Sequence, residues 1–142
     1  MADELRSITG SVTAPRGFRA GSTASGIKSD AGIKDLALLI ADAPCTAAAT
    51  FTTSRTPAAP VLVCQEHLAA SGFRAQAVVV NSGNANCSTG EPGLQDAREM
   101  ARLVGERFGL DPALVMVGST GIIGRRLPMD KVTAGIGQVA PV

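Results

Sequence analysis

Aromatic side chains are scarce in this sequence, which contains no Trp, no Tyr and only four Phe among 142 residues. Without aromatic platforms the chain offers no surface on which bases or sugars would stack. Neither sign of charge is in excess, because 13 Lys and Arg stand against 12 Asp and Glu for a formal net charge of +1. A nucleic-acid partner is therefore not predicted.

Cysteines and long apolar runs are also few. The three cysteines, Cys45, Cys64 and Cys87, lack C-x-x-C spacing and are odd in number, so neither a disulfide framework nor a metal site is predicted. No apolar run approaches the roughly 20 residues that a membrane span requires, and the start MADELRS is polar. We expect a cytoplasmic protein with no membrane association, whose partners are small molecules or other subunits.

The clearest structural unit lies between residues 76 and 118. An apolar, β-branched run predicts a strand over 76–81 that is buried on both faces. Apolar side chains at steps of 3, 4, 3 and 4 predict an amphipathic helix over 92–108, with Asp96, Glu99 and Glu106 on its solvated face. A second strand follows over 113–118. These segments predict an α/β fold with a mixed sheet and a right-handed parallel βαβ crossover.

The rest of the chain yields weaker patterns. The first 33 residues predict loop and an edge strand, and short apolar runs predict further strands over 35–40, 47–53 and 59–64. Helical turns are expected over 65–70, and apolar spacing predicts a last helix over 129–139. The chain then stops without a closing strand. We therefore interpret residues 1–142 as a single partial domain, less than the natural gene product.

The glycine-rich stretch from Leu114 to Gly124 is the leading candidate site, because a predicted strand is followed there by small and hydroxyl-bearing residues. Gly121 permits unusual backbone angles, and the Thr120 hydroxyl lies beside backbone N–H groups. Such a segment can bind an anion or an oxyanion, or can be a connection that binds nothing. Parallel strands end at the same sheet edge, so we expect the segments 81–90 and 118–124 to lie close together.

Three other patterns admit two interpretations each. The spacing G-x-x-G-x-x-G resembles a dinucleotide-binding turn, but Pro128 and the lack of a later acidic residue argue against that Rossmann-type module. His67 could pair with Cys64 as base and nucleophile, or lie on the surface of a short helix. Asn81, Asn84 and Asn86 could contact a ligand, or could hydrogen-bond their own turn.

Several motifs that occur in a fixed order resemble one known family. They are Gly26-Ile27-Lys28, Lys34-Asp35-Leu36-Ala37-Leu38, Phe51-Thr52-Thr53, Ala58-Ala59-Pro60-Val61, Asn81-Ser82-Gly83-Asn84-Ala85-Asn86, Thr89-Gly90 and Ser119-Thr120-Gly121-Ile122-Ile123-Gly124. From about Gly17 onward the chain resembles the N-terminal part of the α chain of the ornithine acetyltransferase (ArgJ) family, the bifunctional glutamate N-acetyltransferases of arginine biosynthesis. Small departures are Ser54 for asparagine, Cys87 for alanine and Ile122 for valine.

The resemblance implies an acyltransferase that moves acetyl from N2-acetyl-L-ornithine to L-glutamate through an acyl-threonine intermediate. Family members cut their own precursor into α and β chains, which assemble as an α2β2 heterotetramer, and the first threonine of the β chain is the nucleophile. By this resemblance Thr120 and Gly121 form the oxyanion hole, and the asparagine motif shapes the site from behind.

The nucleophile would lie beyond residue 142. No cofactor or metal is implied, although the bifunctional subtype also takes acetyl from acetyl-CoA. The alternative is a truncated, non-catalytic fragment or subunit that binds a partner without turnover.

Overall fold

The computed structural model describes residues 7–142, which contain four strands and three α-helices. The strands are β1 (Phe18–Thr23), β2 (Leu36–Thr46), β3 (Arg74–Asn84) and β4 (Val115–Ile122). The helices are α1 (Ala59–Ala70), α2 (Gly90–Phe108) and α3 (Met129–Gln138), and a 3-10 turn spans Pro112–Leu114. The order along the chain is β1, β2, α1, β3, α2, β4 and α3.

The four strands form one mixed sheet in the order β1-β2-β3-β4. The first two pairs are antiparallel, and β3 pairs with β4 in parallel, with Ala77 opposite Val115 and Val80 opposite Gly118. Helix α2 connects these parallel strands, and Gly109 in the left-handed conformation ends it. The predicted α/β class and the βαβ unit are confirmed.

The core lies on one face of this sheet. Alternate side chains such as Leu38, Val79 and Val117 point to that face and pack in one cluster with the helices, which contribute Val63, Met100, Ala101, Val104, Val132 and Ile136. On the opposite face Val78 is half-buried and Val80 is 38% exposed. The prediction that the strand over 76–81 is buried on both faces was therefore wrong, because within residues 7–142 all the core packing is on the helical side.

Two of the predicted strands were also wrong. Residues 59–64 begin helix α1, where Pro60 occupies one of the first helical positions and needs no N–H partner. The helical turns expected over 65–70 continue the same helix. Residues 47–53 form no strand, because β2 runs on to Thr46 through an irregularity in its pairing between Ile40 and Cys45.

The chain ends were predicted with mixed success. The edge strand expected in the first 33 residues is β1, and the helix expected over 129–139 is α3. No closing strand was predicted, yet Val142 exchanges backbone hydrogen bonds with Ala20 of β1 at 3.2 and 3.3 Å. Among residues 7–142, no helix has both the length and the apolar character that crossing a membrane requires.

Candidate functional site

The glycine-rich segment predicted as a turn is mostly strand. Residues up to Ile122 belong to β4, and Thr120 lies opposite Ser82 while Gly121 lies opposite Gly83 in the parallel register. Asn84 also pairs with Thr120 at an irregularity in the ladder. The two predicted loops therefore lie side by side, as the parallel crossover predicted, although strand pairing rather than turn structure holds them together.

Gly121 occupies a position that only glycine fits. Its φ of +132° lies in a region that side-chain-bearing residues rarely adopt. A Cβ atom at this position would lie 2.5 Å from the Asn84 nitrogen and 2.7 Å from the Gly83 oxygen, and closer still to the Gly83 carbonyl carbon. The end of β4 therefore rests directly on the Gly83–Asn84 peptide of β3.

The backbone groups of β4 face two different sides near this contact. The Ile122 carbonyl accepts from Ala85 N–H on the β3 side, whereas the Val117 backbone faces α1, on the other side. Because backbone groups alternate along a regular strand, the Gly121 N–H would point to the outer side, as that of Val117 does. The Thr120 side chain is exposed and makes no hydrogen bond within the described part of the chain. Thr120 and Gly121 thus place a hydroxyl and a backbone N–H next to one another at an exposed end of β4.

Cys64 and His67 do not form a catalytic pair. The Cys64 Sγ donates to the Val117 carbonyl at 3.2 Å, and the His67 Nδ1 lies 2.8 Å from the Val115 carbonyl. Burial raises the pKa of the Cys64 thiol, and its hydrogen bond with the Val117 N–H opposes this only partly. A thiol of raised pKa is a poor nucleophile at neutral pH. Through these contacts both side chains join α1 to β4, at the edge of the sheet.

The dinucleotide interpretation is not supported. Gly118 and Gly121 lie within β4, and the next helix begins only at Met129. No helix N-terminus therefore stands at the glycine pattern to receive a pyrophosphate.

The three asparagines of the motif are buried and hydrogen-bonded within the chain. Asn81 accepts from the Ser119 hydroxyl at 2.6 Å and donates to the Asn84 carbonyl at 2.9 Å. The Asn84 side chain donates to the Arg126 carbonyl at 2.7 Å and accepts from the backbone N–H of Asn86 at 3.1 Å. These bonds join the ends of β3 and β4 to the following segments.

Asn86 makes the last links of this set. Its side chain donates to the Gly93 carbonyl at 2.8 Å and accepts from the Thr89 hydroxyl at 2.7 Å, which ties the turn to the start of α2. The interpretation in which the asparagines hydrogen-bond within their own turn describes these contacts well. Direct contact between Asn81, Asn84 or Asn86 and a ligand stays a prediction.

The burial of two acidic residues near the site, Asp35 and Asp96, was not predicted from the sequence. Asp35, only 2% exposed, accepts from the Ser25 N–H and hydroxyl at 2.6 and 2.7 Å, and from the Lys28 N–H at 2.9 Å. Burial alone would raise the pKa of Asp35, but the hydrogen bonds from Lys28 and Ser25 together lower it below its ordinary value. The folded loop places Ile27 against Gly83, beneath the β3 end of the site.

Asp96 was predicted on the solvated face of α2, and this prediction was wrong. The residue is 6% exposed, and its carboxylate receives two hydrogen bonds from the Arg126 guanidinium, at 2.7 and 3.2 Å. The pattern contained a weak signal, because Asp96 lies four residues before Met100, at the border of the apolar stripe. Its partner, 30 residues away, could not be inferred from helical spacing.

Fold and site together define an α/β chain in which the shared end of two parallel strands presents a hydroxyl and a backbone N–H at an exposed edge. Comparison with known proteins identifies the family. The model of the ArgJ family matches residues 19–142, and the chain belongs to this family. The resemblance inferred from the sequence motifs is confirmed.

Curated relatives show the extent of the similarity. The arginine biosynthesis bifunctional protein ArgJ of Symbiobacterium thermophilum is 50% identical over 134 residues, which cover 94% of this chain and 33% of that protein. The protein of the same name from Bacillus cereus is 47% identical over 132 residues, covering 93% of this chain and 32% of the relative. The chain therefore spans about a third of the length of the curated relatives it matches.

Solved structures agree in fold. The crystal structure of the arginine biosynthesis bifunctional protein ArgJ from Bacillus halodurans matches with a TM-score of 0.88 at 43% identity, covering 93% of this chain and 68% of that one. Ornithine acetyltransferase from Mycobacterium tuberculosis, solved in complex with ornithine, matches with a TM-score of 0.82 at 42% identity. That match covers 91% of this chain and 70% of the other.

Proposed function

We propose that this chain is the oxyanion-binding part of an enzyme of arginine biosynthesis that transfers acetyl from N2-acetyl-L-ornithine to L-glutamate. Support comes from the family, from relatives named as arginine biosynthesis proteins, and from a structural relative named ornithine acetyltransferase and solved with ornithine. The chain covers only a third of these curated relatives, so the proposal concerns a reaction that these residues share with others.

One observation carries the assignment of the site. Thr120 is exposed and its hydroxyl has no partner within residues 7–142, and strand alternation would direct the Gly121 N–H to the outer edge of β4, immediately beside it. Donors that are fixed before the reaction and aimed at one place stabilise a developing negative charge without reorganising. Thr120 and Gly121 then form the oxyanion hole, and the backbone contact under Gly121 holds the second donor in place.

The reaction passes through two intermediates in which an oxygen carries negative charge. A threonine Oγ attacks the acetyl carbon of N-acetylornithine, and the carbonyl oxygen becomes negative while Thr120 and Gly121 donate to it. The proton of the threonine hydroxyl passes to the amide nitrogen as the C–N bond breaks, so ornithine leaves as the free amine and an acetyl-threonine ester remains. The amine of glutamate attacks this ester through a second oxyanion in the same hole, and the threonine hydroxyl is released.

The nucleophile and the partners belong to the same proposal. Cys64 and His67 are each occupied by the β4 backbone, so neither supplies the attacking atom. A threonine outside residues 1–142, at the start of a β chain cut from the same precursor, would supply it within an α2β2 assembly in the cytoplasm. The mechanism calls for no metal or cofactor, and acetyl-CoA would deliver its acetyl group to the same hole in a bifunctional enzyme.

The test is a steady-state comparison in the full gene product. Thr120→Ala should lower kcat by roughly 10²–10³, the usual effect of removing one oxyanion-hole donor, and should change KM much less. Thr133→Ala, which removes an exposed threonine of α3 away from the site, is the matched control and should retain the original kcat. His67→Ala should also have little effect.

Processing must be checked in the same samples, because a defect in self-cleavage would imitate a catalytic defect. Gel electrophoresis of each variant shows whether the precursor has been cut. If Thr120→Ala is fully cleaved and keeps the original kcat, the oxyanion assignment is wrong. If the unaltered gene product transfers no acetyl at all, the alternative of a non-catalytic, partner-binding chain is favoured instead.

A further inference from the structure

An ion pair between Arg126 and Asp96 joins the segment after β4 to helix α2. Asp96 is 6% exposed, and its carboxylate accepts hydrogen bonds from Nη2 and Nε of Arg126 at 2.7 and 3.2 Å, whereas the Arg126 side chain is 60% exposed. Two parallel N–H to oxygen bonds fix the guanidinium in orientation as well as in distance. The backbone at Arg126 is therefore held against a helix that belongs to the core.

The same residue is joined to the site through its backbone. The Arg126 carbonyl accepts from the Asn84 side-chain amide at 2.7 Å. Asn84 is 2% exposed, and its other side-chain atom accepts from the Asn86 N–H, so both ends of its amide are held. The Asn84 backbone nitrogen lies directly beneath Gly121, in the contact that excludes any Cβ.

A continuous path thus runs from the Asp96 carboxylate through Arg126 and Asn84 to the peptide beneath Gly121. The links between residues are hydrogen bonds of 3.2 Å or less and one close backbone contact, and the Arg126 and Asn84 residues connect these links covalently. The final contact leaves no room for a Cβ, and Asn84 pairs with Thr120 and Ile122 on either side of Gly121, so a displacement of Asn84 should displace Gly121 as well. An oxyanion-hole donor acts only when it stands about 2.7–3.1 Å from the reacting oxygen, so small displacements matter.

We propose that Asp96 and Arg126 are positioning residues for the Gly121 donor and act on it through Asn84. This inference rests on the proposed acetyltransferase function, and it assigns these two residues a part in catalysis although neither touches the reacting atoms. The alternative is that changes to the pair affect only folding stability, because removing one partner leaves a buried charge unpaired.

The chain provides a matched pair for comparison. Arg98, also on α2, makes a bidentate contact with Glu66 of α1, with nitrogen to oxygen distances of 3.0 to 3.2 Å. This pair likewise joins two elements, but its residues make no hydrogen bond to the ends of β3 or β4 within residues 7–142. Removing it should affect stability alone.

The experiment compares Asp96→Asn, Arg126→Gln, the double variant and the control Arg98→Gln in the full gene product. The burst of acetyl-enzyme formation counts the competent sites, so kcat is expressed per site and partial misfolding does not enter it. Each single variant of the proposed pair should lower kcat per site roughly tenfold or more, with KM little changed, because displacements of about 1 Å can cost 10²-fold. Arg98→Gln should keep the original kcat per site.

Non-additivity supplies the second readout. Because both residues act through one path, the double variant should lose about as much kcat per site as either single variant. The double variant also leaves no unpaired buried carboxylate, so it can be measured in place of Arg126→Gln if that variant fails to fold. Adding Asn84→Ala to Asp96→Asn should cost little beyond Asn84→Ala alone.

An unchanged kcat per site in Asp96→Asn and in the double variant would overturn the inference, even if both melt at lower temperature. Fully additive losses with Asn84→Ala would overturn the path through that residue. These outcomes are distinct from a failure of the proposed function, in which the unaltered protein would show neither burst nor acetyl transfer.

Discussion

Replacing Gly121 by alanine is the most direct perturbation of the site. A Cβ there would lie 2.5 Å from the Asn84 nitrogen, so the two backbones must separate by about 1 Å to reach the 3.4 Å of ordinary contact. The φ of +132° adds strain of about 1–3 kcal/mol for any residue with a side chain. Both effects move the Gly121 N–H away from the developing charge.

The expected result is a loss of at least 10²-fold in kcat, because the donor is displaced by about the distance that is known to cost that much. A branched residue such as valine should be worse. Steady-state acetyl transfer from N-acetylornithine to glutamate is the assay, with thermal melting and precursor cleavage measured on the same preparations. KM should change much less than kcat, since the substrate's ground state makes little use of the hole.

Two glycines of the same segment provide controls. At Gly118 the nearest contact of a Cβ would be the Val80 side chain, at 3.3 Å, and at Gly124 a Cβ would meet nothing within 4 Å despite a φ of +77°. Gly118→Ala tests tight packing on β4, and Gly124→Ala tests backbone strain without a clash. If Gly121→Ala retains kcat within the range of these two variants, the reasoning from the Gly83–Asn84 contact is refuted.

Two further predictions concern stability and association. Asp35→Ala should reduce the free energy of unfolding by about 3 kcal/mol, because the Ser25 and Lys28 donors lose their buried acceptor; an unchanged denaturant midpoint would contradict this. The pKa of Asp35 in the folded protein lies below its ordinary 3.8, so the stabilisation by the Asp35 carboxylate is complete above pH 3.8 and is lost as the pH falls through the folded pKa. Acid titration of the unaltered and Asp35→Asn proteins should reveal this loss. The isolated 142-residue chain should transfer no acetyl and should associate through its open apolar sheet face, and a monodisperse monomer in sedimentation at high concentration would be inconsistent with that face driving association.

The sequence alone determined the central βαβ unit. The apolar steps over 92–108 have a period that only a helix satisfies, and the strands on either side are close enough in sequence for one parallel crossover. From this followed the adjacency of Asn84 and Thr120 at one end of the sheet, which the register confirms. The ordered motifs identified the family, because several short matches in sequence are more specific than any single glycine pattern.

The short apolar run at 59–64 could not be decided in the same way. Six residues are too few to distinguish a period of 2 from one of 3.6, and only its packing against β4 and α2 shows that it is the start of helix α1. The open face of β3 was likewise missed, because a run of valines does not reveal how many layers cover it.

The environment of Asp96 depended on tertiary structure most of all. Helical spacing and its acidic side chain led to the prediction that Asp96 lies on the solvated face of the helix. Its partner is Arg126, which lies in the segment after β4, 30 residues along the chain. Periodicity is a local property and reports the elements themselves, whereas the partner of a buried charge is set by how distant elements pack, which only the folded chain decides.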